Sequence, residues 1–147
     1  MEPTLTFREE TVPLLHEGEP AVVLRLRWAE GDERCPGGLA RLLALPPALW
    51  RDYGENTLLP LAARALRECR TRSRPFSPWR CQLDTAVSRR ADGLLHVRWE
   101  AALFREGRPP ARVTRDLTWD TAAGAVRPGP LPPEPAFAPS PAAADMI

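Results

Sequence analysis

The sequence contains no lysine. All 20 of its basic residues are arginine, and 18 prolines accompany them. Both features read as the drift of a GC-rich genome, so surface arginine alone is discounted as a sign of anion binding. The formal net charge is +1, which leaves no global field to draw the chain to nucleic acid or to a membrane. Cysteine is scarce. Cys35, Cys69 and Cys81 make an odd set at no metal-like spacing, so neither a disulfide framework nor a zinc site is expected. Long apolar runs are missing too. The most apolar stretch, residues 42–50, is short and holds two prolines, so it cannot span a bilayer. No charged segment followed by an apolar one opens the chain, and a cytoplasmic, reduced protein is the default expectation.

What is present suits one α+β domain. A chain of 147 residues can bury a real core without metal or disulfide. The clearest helical period lies between Pro47 and Arg72. Leu58, Leu61, Ala62, Ala65, Leu66 and Cys69 fall on one stripe, with Arg64, Arg67, Glu68 and Arg70 off it. Gly54 and Pro60 disfavour a helix interior, and one kinked helix is expected rather than two short ones. Residues 39–45 are apolar but ambiguous, and Pro46-Pro47 is expected to stop them. Elsewhere the pattern alternates. Val22, Leu24, Leu26 and Trp28 share one face of a strand; Cys81, Leu83, Thr85 and Val87 share another; Leu95, Val97, Trp99, Ala101 and Leu103 a third; Val113, Leu117 and Trp119 a fourth. Residues 4–9 read as a weak first edge strand and residues 11–19 as a turn region around Pro13 and Gly18. Asp92-Gly93 signals a hairpin, and residues 125–127 a short last strand. An antiparallel meander of four to five strands follows, with the helix on its inner face. The helical stripe should cover Leu24, Leu26, Leu83, Val97, Trp99 and Leu117. The domain is expected to cover residues 1–127. Residues 128–147, rich in proline and alanine, read as a disordered or polyproline-like tail.

Catalytic chemistry finds little support. There is no phosphate-binding loop and no G-x-S-x-G nucleophile motif, so no catalytic, cofactor-binding or metal residue is assigned. His96 should point outward beside Arg98 and Glu100. Ser88 and Asp84 share its outward parity, so a hydrolase using His96 is the alternative reading. Asp84, Glu100 and Asp116 could share the same face, but interleaved Arg25, Arg98 and Arg112 make cross-strand ion pairing the simpler account. Cys35 lies in a loop with Arg34 as its only basic neighbour in sequence; Cys69 and Cys81 read as small core residues. The arginines from Arg64 to Arg80 form the densest basic patch. RNA binding there would want exposed aromatics, and Phe76 and Trp79 are expected to be buried. Nucleic acid is therefore an unfavoured partner, and an unidentified protein or small molecule the favoured one.

Several strings resemble a known family. They are ENTLLPLAARAL, then SRPFSPWRCQLDTAVSRRADGLLHVRWEA, then RVTRDLTWDTAAGAVRPGPL. Together they resemble small Clostridia-type hypothetical proteins, similar to the domain of unknown function at the C-terminal end of RsiV-type anti-sigma factors. The same domain occurs in PdaC-type peptidoglycan deacetylases. In that family a helix with a Leu-Leu-Pro step precedes three antiparallel strands, the last ending in a Thr-Trp-Asp-x-x-x-Gly hairpin. Thr118, Trp119, Asp120 and Gly124 match that ending. The resemblance spans roughly residues 21–131 and implies a non-catalytic binding or partner role. It transfers no site residue. Residues 106–110 depart from the family loop before the last strand, and no sigma-binding region is recognised, so lysozyme sensing and anti-sigma activity are not carried over.

Overall fold

The structure is a computed structural model and describes residues 4–90 and 92–127. The tail expected after residue 127 lies outside the described residues, as does Ala91 of the Asp92-Gly93 turn. Strands β1 (Leu5–His16) and β2 (Glu19–Gly31) form an antiparallel hairpin. Then comes one long helical rod: α1 (Gly37–Tyr53), a π turn (Gly54–Leu58) and α2 (Leu59–Thr71). Strands β3 (Trp79–Arg89), β4 (Leu94–Phe104), β5 (Ala111–Asp120) and β6 (Ala125–Val126) complete the sheet, whose spatial order follows the chain order.

The antiparallel strand faces match the sequence pattern closely. Leu95, Val97, Trp99, Ala101 and Leu103 of β4 are all buried, as are Val113, Leu117 and Trp119 of β5. Alternation fixes the face because successive side chains point to opposite sides of a strand. Thr118 to Gly124 explains its own sequence. The Asp120 carboxylate accepts hydrogen bonds from the backbone N–H groups of Ala122 and Ala123 at 3.0 and 3.1 Å. Gly124 takes φ +63°, a conformation open to glycine at no steric cost.

Three expectations need correction. The sheet is not wholly antiparallel: β2 and β3 run parallel, pairing Val22 with Trp79 through Leu26 with Leu83. The rod between them explains this. It is roughly 50 Å long at 1.5 Å per residue, and β2 is roughly 40 Å. The helix therefore returns the chain to the end where β2 began, and β3 starts beside it. Second, β1 runs on through residues 11–16, which were read as turn. Pro13 is tolerated because β1 is an edge strand, where a missing donor can face solvent. The turn is confined to Glu17 and Gly18, at φ 50° and 82°, the pair of positive values a two-residue hairpin loop demands. Third, the helix starts at Gly37 and passes through Pro46 and Pro47, both buried. Their ring atoms join the core, and that packing offsets the missing donors. The expectation of one continuous helix with an irregularity near Pro60 holds: the irregularity is a π turn just before it, closed by the Leu59 N–H donating to the Gly54 carbonyl five residues back.

The rod lies over β2. Leu58, Ala62 and Leu66 are buried, while Leu61, Ala65 and Cys69 are half-buried and form a shoulder of the stripe. Leu58 and Ala62, with Leu61 and Ala65 packed against them, join a core that includes Leu24, Leu26, Leu83, Val97, Trp99 and Leu117, while Leu66 and Cys69, expected on the same stripe, lie outside that cluster. Thr85 is the buried polar residue of that core among the described residues. Past the last β2–β3 pair its hydroxyl donates to the Arg27 carbonyl at 2.9 Å, and the Arg27 guanidinium donates back to the Thr85 carbonyl at 3.3 Å.

Candidate functional site

The outer sheet face holds the residues of the hydrolase alternative. Register sets Ser88 directly opposite His96, while Asp84 opposes Glu100. Asp84 therefore sits four residues along β3 from Ser88, roughly 13 Å away. The His96 Nε2 meets the Asp116 carboxylate at 2.9 Å. Arg98 reaches the same carboxylate at 3.8 Å, and Arg112 reaches Glu100 at 3.6 Å. Arg25 pairs with Glu9. Among the described residues Ser88 makes no hydrogen bond to His96. The face carries cross-strand ion pairs, with Arg80 and Arg112 stacked on the Phe104 ring at 5.0 and 5.5 Å. No three of His, Cys, Asp and Glu gather among the described residues as a metal would need.

The surroundings of Cys35 do not favour its thiolate. It is half-buried against Gly31, where an added Cβ would lie 2.3 Å from its own Cβ. Burial first, and the Asp32 carboxylate second, push its thiol above the ordinary value. Its basic neighbour Arg34 is tied to Asp32 at 2.9 Å. Burial pushes the Cys81 thiol up to about 12.

The concave site lies elsewhere, at the C-terminal end of the helix. α2 stops in a Schellman arrangement. The Arg74 N–H donates to the Cys69 carbonyl at 2.8 Å and the Ser73 N–H to the Arg70 carbonyl at 3.1 Å. Ser73 occupies the left-handed position at φ 52°. Pro75 and Pro78 then hold residues 74–78 as a strap across the helix end. Beneath it opens a cleft of about 470 Å³. Its floor is Ala65 and Cys69 on the helix shoulder; its aromatic wall is Phe76 and Trp79; Arg74, Arg105 and Arg108 with Glu68 and Glu106 form its charged rim. A second hollow of about 350 Å³ lies on the other side of Arg74 and Phe76, lined also by Leu66 and Arg70. There Arg70 is held by Glu17 and Glu19.

Arg105 sits over the Trp79 ring, its guanidinium carbon 5.7 Å from the ring centre. It is half-buried. Burial, then the neighbouring Arg108 guanidinium, pull it below the ordinary arginine value, while Tyr53 acts the other way. Sequence reasoning placed Phe76 and Trp79 in the core and treated residues 106–110 as a plain turn. Trp79 is indeed buried and Phe76 packs on the core from a half-buried position, but both also face the cleft. Arg105 and Arg108 were missed. The signal was available: continuing the hairpin register one step past Arg80 and Phe104 sets Arg105 opposite Trp79.

Comparison with known proteins locates the fold. No protein-family profile matches the chain, and no curated protein matches it. Among solved structures, a member of the DUF3298 family from Bacteroides fragilis superposes over 85% of this chain with a TM-score of 0.57 and 15% identity. The chain spans 59% of the length of that structure. A DUF3298 family protein from Pseudomonas aeruginosa aligns over 84% of this chain and 55% of its own, at 19% identity and a TM-score of 0.45. The likeness to the first is one of fold: a domain of unknown function of α+β class. No helix among the described residues is long and apolar enough to cross a membrane.

Proposed function

We propose that this chain is a non-enzymatic binding domain and that the cleft at the helix end is its ligand site. The supporting observation is the convergence of Phe76, Trp79 and three arginines on one hollow of about 470 Å³, within the usual size of small-molecule sites. The resemblance to the C-terminal domain of RsiV-type anti-sigma factors and to PdaC-type deacetylases supports a binding role as well. The partner is a small molecule or a protein segment that enters the cleft. Nucleic acid is not the partner proposed: Trp79 is buried, so the Arg64 to Arg80 patch lacks the open stacking surface that single strands need. Three free thiols fit a reducing, cytoplasmic setting.

Trp79 supplies the test, since its indole N–H gives an isolated resonance in a nitrogen-labelled sample. Titration with benzoate, phenyl phosphate and indole should shift that resonance saturably with at least one probe. Shifts confined to the outer face around His96 would refute the site. Ester hydrolysis by the purified chain that disappears in His96→Ala would refute the non-enzymatic reading.

A further inference from the structure

We infer that the open edge of β1 docks a second copy of this chain, strand to strand about a twofold axis at Thr11. None of the β1 residues lines the cleft. Among the described residues no strand pairs with β1 on the side away from β2. The Asp32 N–H donates to the Thr4 carbonyl at 3.0 Å, one step beyond the ladder pair of Leu5 with Gly31. Bonded and non-bonded pairs alternate along an antiparallel ladder. Thr6, Arg8, Glu10, Val12 and Leu14 therefore turn their backbone groups to β2. Phe7, Glu9, Thr11, Pro13 and Leu15 turn theirs to the open side. The shift between Leu14 and Leu15 skips Ala21, so the extra residue belongs to β2 and the alternation of β1 runs on unbroken.

An unpaired row of backbone groups is a template for another strand, and charged side chains or proline commonly deter it. Here the charges are already met: Arg8 pairs with Glu30, Glu9 with Arg25 and Glu10 with Arg51. Pro13 removes one donor from each strand and leaves the other outward residues able to bond. Charge and apolar surface then select the register. In a twofold pair the residue on the axis faces itself. With Arg8, Glu9 or Glu10 there, like charges would be directly opposed, which is destabilising. With Thr11 there, Glu9 meets the partner's Pro13, Glu10 the partner's Val12 and Arg8 the partner's Leu14. Two threonines meet on the axis, a favourable cross-strand pair. Phe7 then lies against the partner's Leu15, and the symmetry makes that contact twice. These are the two large apolar side chains that β1 exposes, at 39% and 52%. Phe7 is already held, with the Arg27 guanidinium carbon 4.3 Å from its ring centre, so little side-chain freedom is lost. A strand of unrelated sequence would gain the backbone bonds alone; a second copy supplies the apolar match as well.

Sedimentation of the full chain between about 10 µM and 1 mM should show a monomer–dimer equilibrium, since an edge contact is small and associates weakly. Thr11 is exposed, so its replacement should leave circular dichroism and melting unchanged. Thr11→Glu and Thr11→Lys each set like charges on the axis and should weaken self-association at least about tenfold. An equimolar mixture of the two variants should recover association at least as tight as wild type, because glutamate then faces lysine. In the wild type, the amide protons of Phe7, Thr11 and Leu15 should exchange more slowly as concentration rises. A wild-type chain that stays monomeric at about 1 mM overturns the second copy as the occupant and leaves the edge to a strand of another protein. Dimers that persist in both variants, a mixture that fails to associate, or dimerisation without added protection at Thr11 overturns the pairing at Thr11.

Discussion

Replacing Gly54 by alanine should destabilise the domain, although the backbone there is helical. Gly54 opens the π turn at φ −59°, and in a free helix alanine would gain about 1 kcal/mol over glycine. An added Cβ, however, would lie 2.8 Å from both methyl carbons of Leu24 and 3.2 Å from its Cγ. Those methyls cannot swing aside, because Leu24 is fully buried on the inner face of β2. Overpacking of this kind costs about 1–3 kcal/mol. The net loss is then about 0–2 kcal/mol. With a urea slope of about 1–3 kcal/mol per molar, the unfolding midpoint falls by roughly half a molar, readable by circular dichroism. Leu24→Ala alone should cost about 2–5 kcal/mol. In that background the new methyl has room, and Gly54→Ala should stabilise by about 1 kcal/mol. The two changes are thus coupled by about 1–3 kcal/mol. If Gly54→Ala stabilises wild type, or acts alike in both backgrounds, the helix does not press on β2 at this point.

Other changes have clear signs. Leu66→Asp puts an unpaired charge into a position only 3% exposed and should cost at least about 4 kcal/mol, abolishing the cooperative melt; a wild-type melting curve would refute the packing. Ser73→Gly should stabilise by about 0.5–1 kcal/mol, since left-handed backbone costs an L residue about 1–2 kcal/mol and glycine returns part of that through chain entropy. A rise of roughly 2–4 °C in Tm is expected, and a fall would mean the helix stop is not the one described. In a Cys69→Ser background Cys35 should react with iodoacetamide more slowly than free cysteine at pH 7.5 and gain rate as pH rises further. Its thiol is held above the ordinary value, so less thiolate is present at neutral pH. A rate matching free cysteine would refute that assignment.

Much of the fold is written locally. The inward sets of β3, β4 and β5 could be read because a one-residue error would turn every apolar side chain outward. The helix stop could be read from Pro75 and Pro78. What was hidden depends on tertiary context. Pro13 breaks a strand only if both its edges are paired, and β1 is an edge. Pro46 and Pro47 break a helix only if nothing compensates, and here both are buried. The parallel β2–β3 pair depends on comparing the length of the rod with that of the strand, a global quantity. The cleft was hidden for a similar reason. Its residues come from α2, the strap and the β4–β5 turn, which are far apart in sequence and meet only once the hairpin register is followed beyond its last ladder pair.

The π turn joins these two halves of the problem. In α1 the buried positions are Leu39, Leu43, Pro46, Pro47, Trp50 and Tyr53, a stripe of ordinary helical period. Continued without interruption, that stripe would next fall near Thr57, Leu61, Arg64 and Glu68, driving two charged side chains into the core. The observed buried positions are Leu58, Ala62, Ala63 and Leu66; Leu58 and Ala62 fall one residue beyond Thr57 and Leu61, and Leu66 two beyond Arg64, a shift in the direction that the extra residue of a π turn produces. Pro60 gives a local cause: in an uninterrupted α-helix its ring would crowd the Asn56 carbonyl and leave it without a donor. The widened turn instead places Pro60 at the start of α2, where a missing donor costs little. It also bears on the site. The re-phased stripe turns Arg64 outward and sets the small side chains of Ala65 and Cys69 on the shoulder beside Trp79. A cleft can open there because those side chains do not fill it.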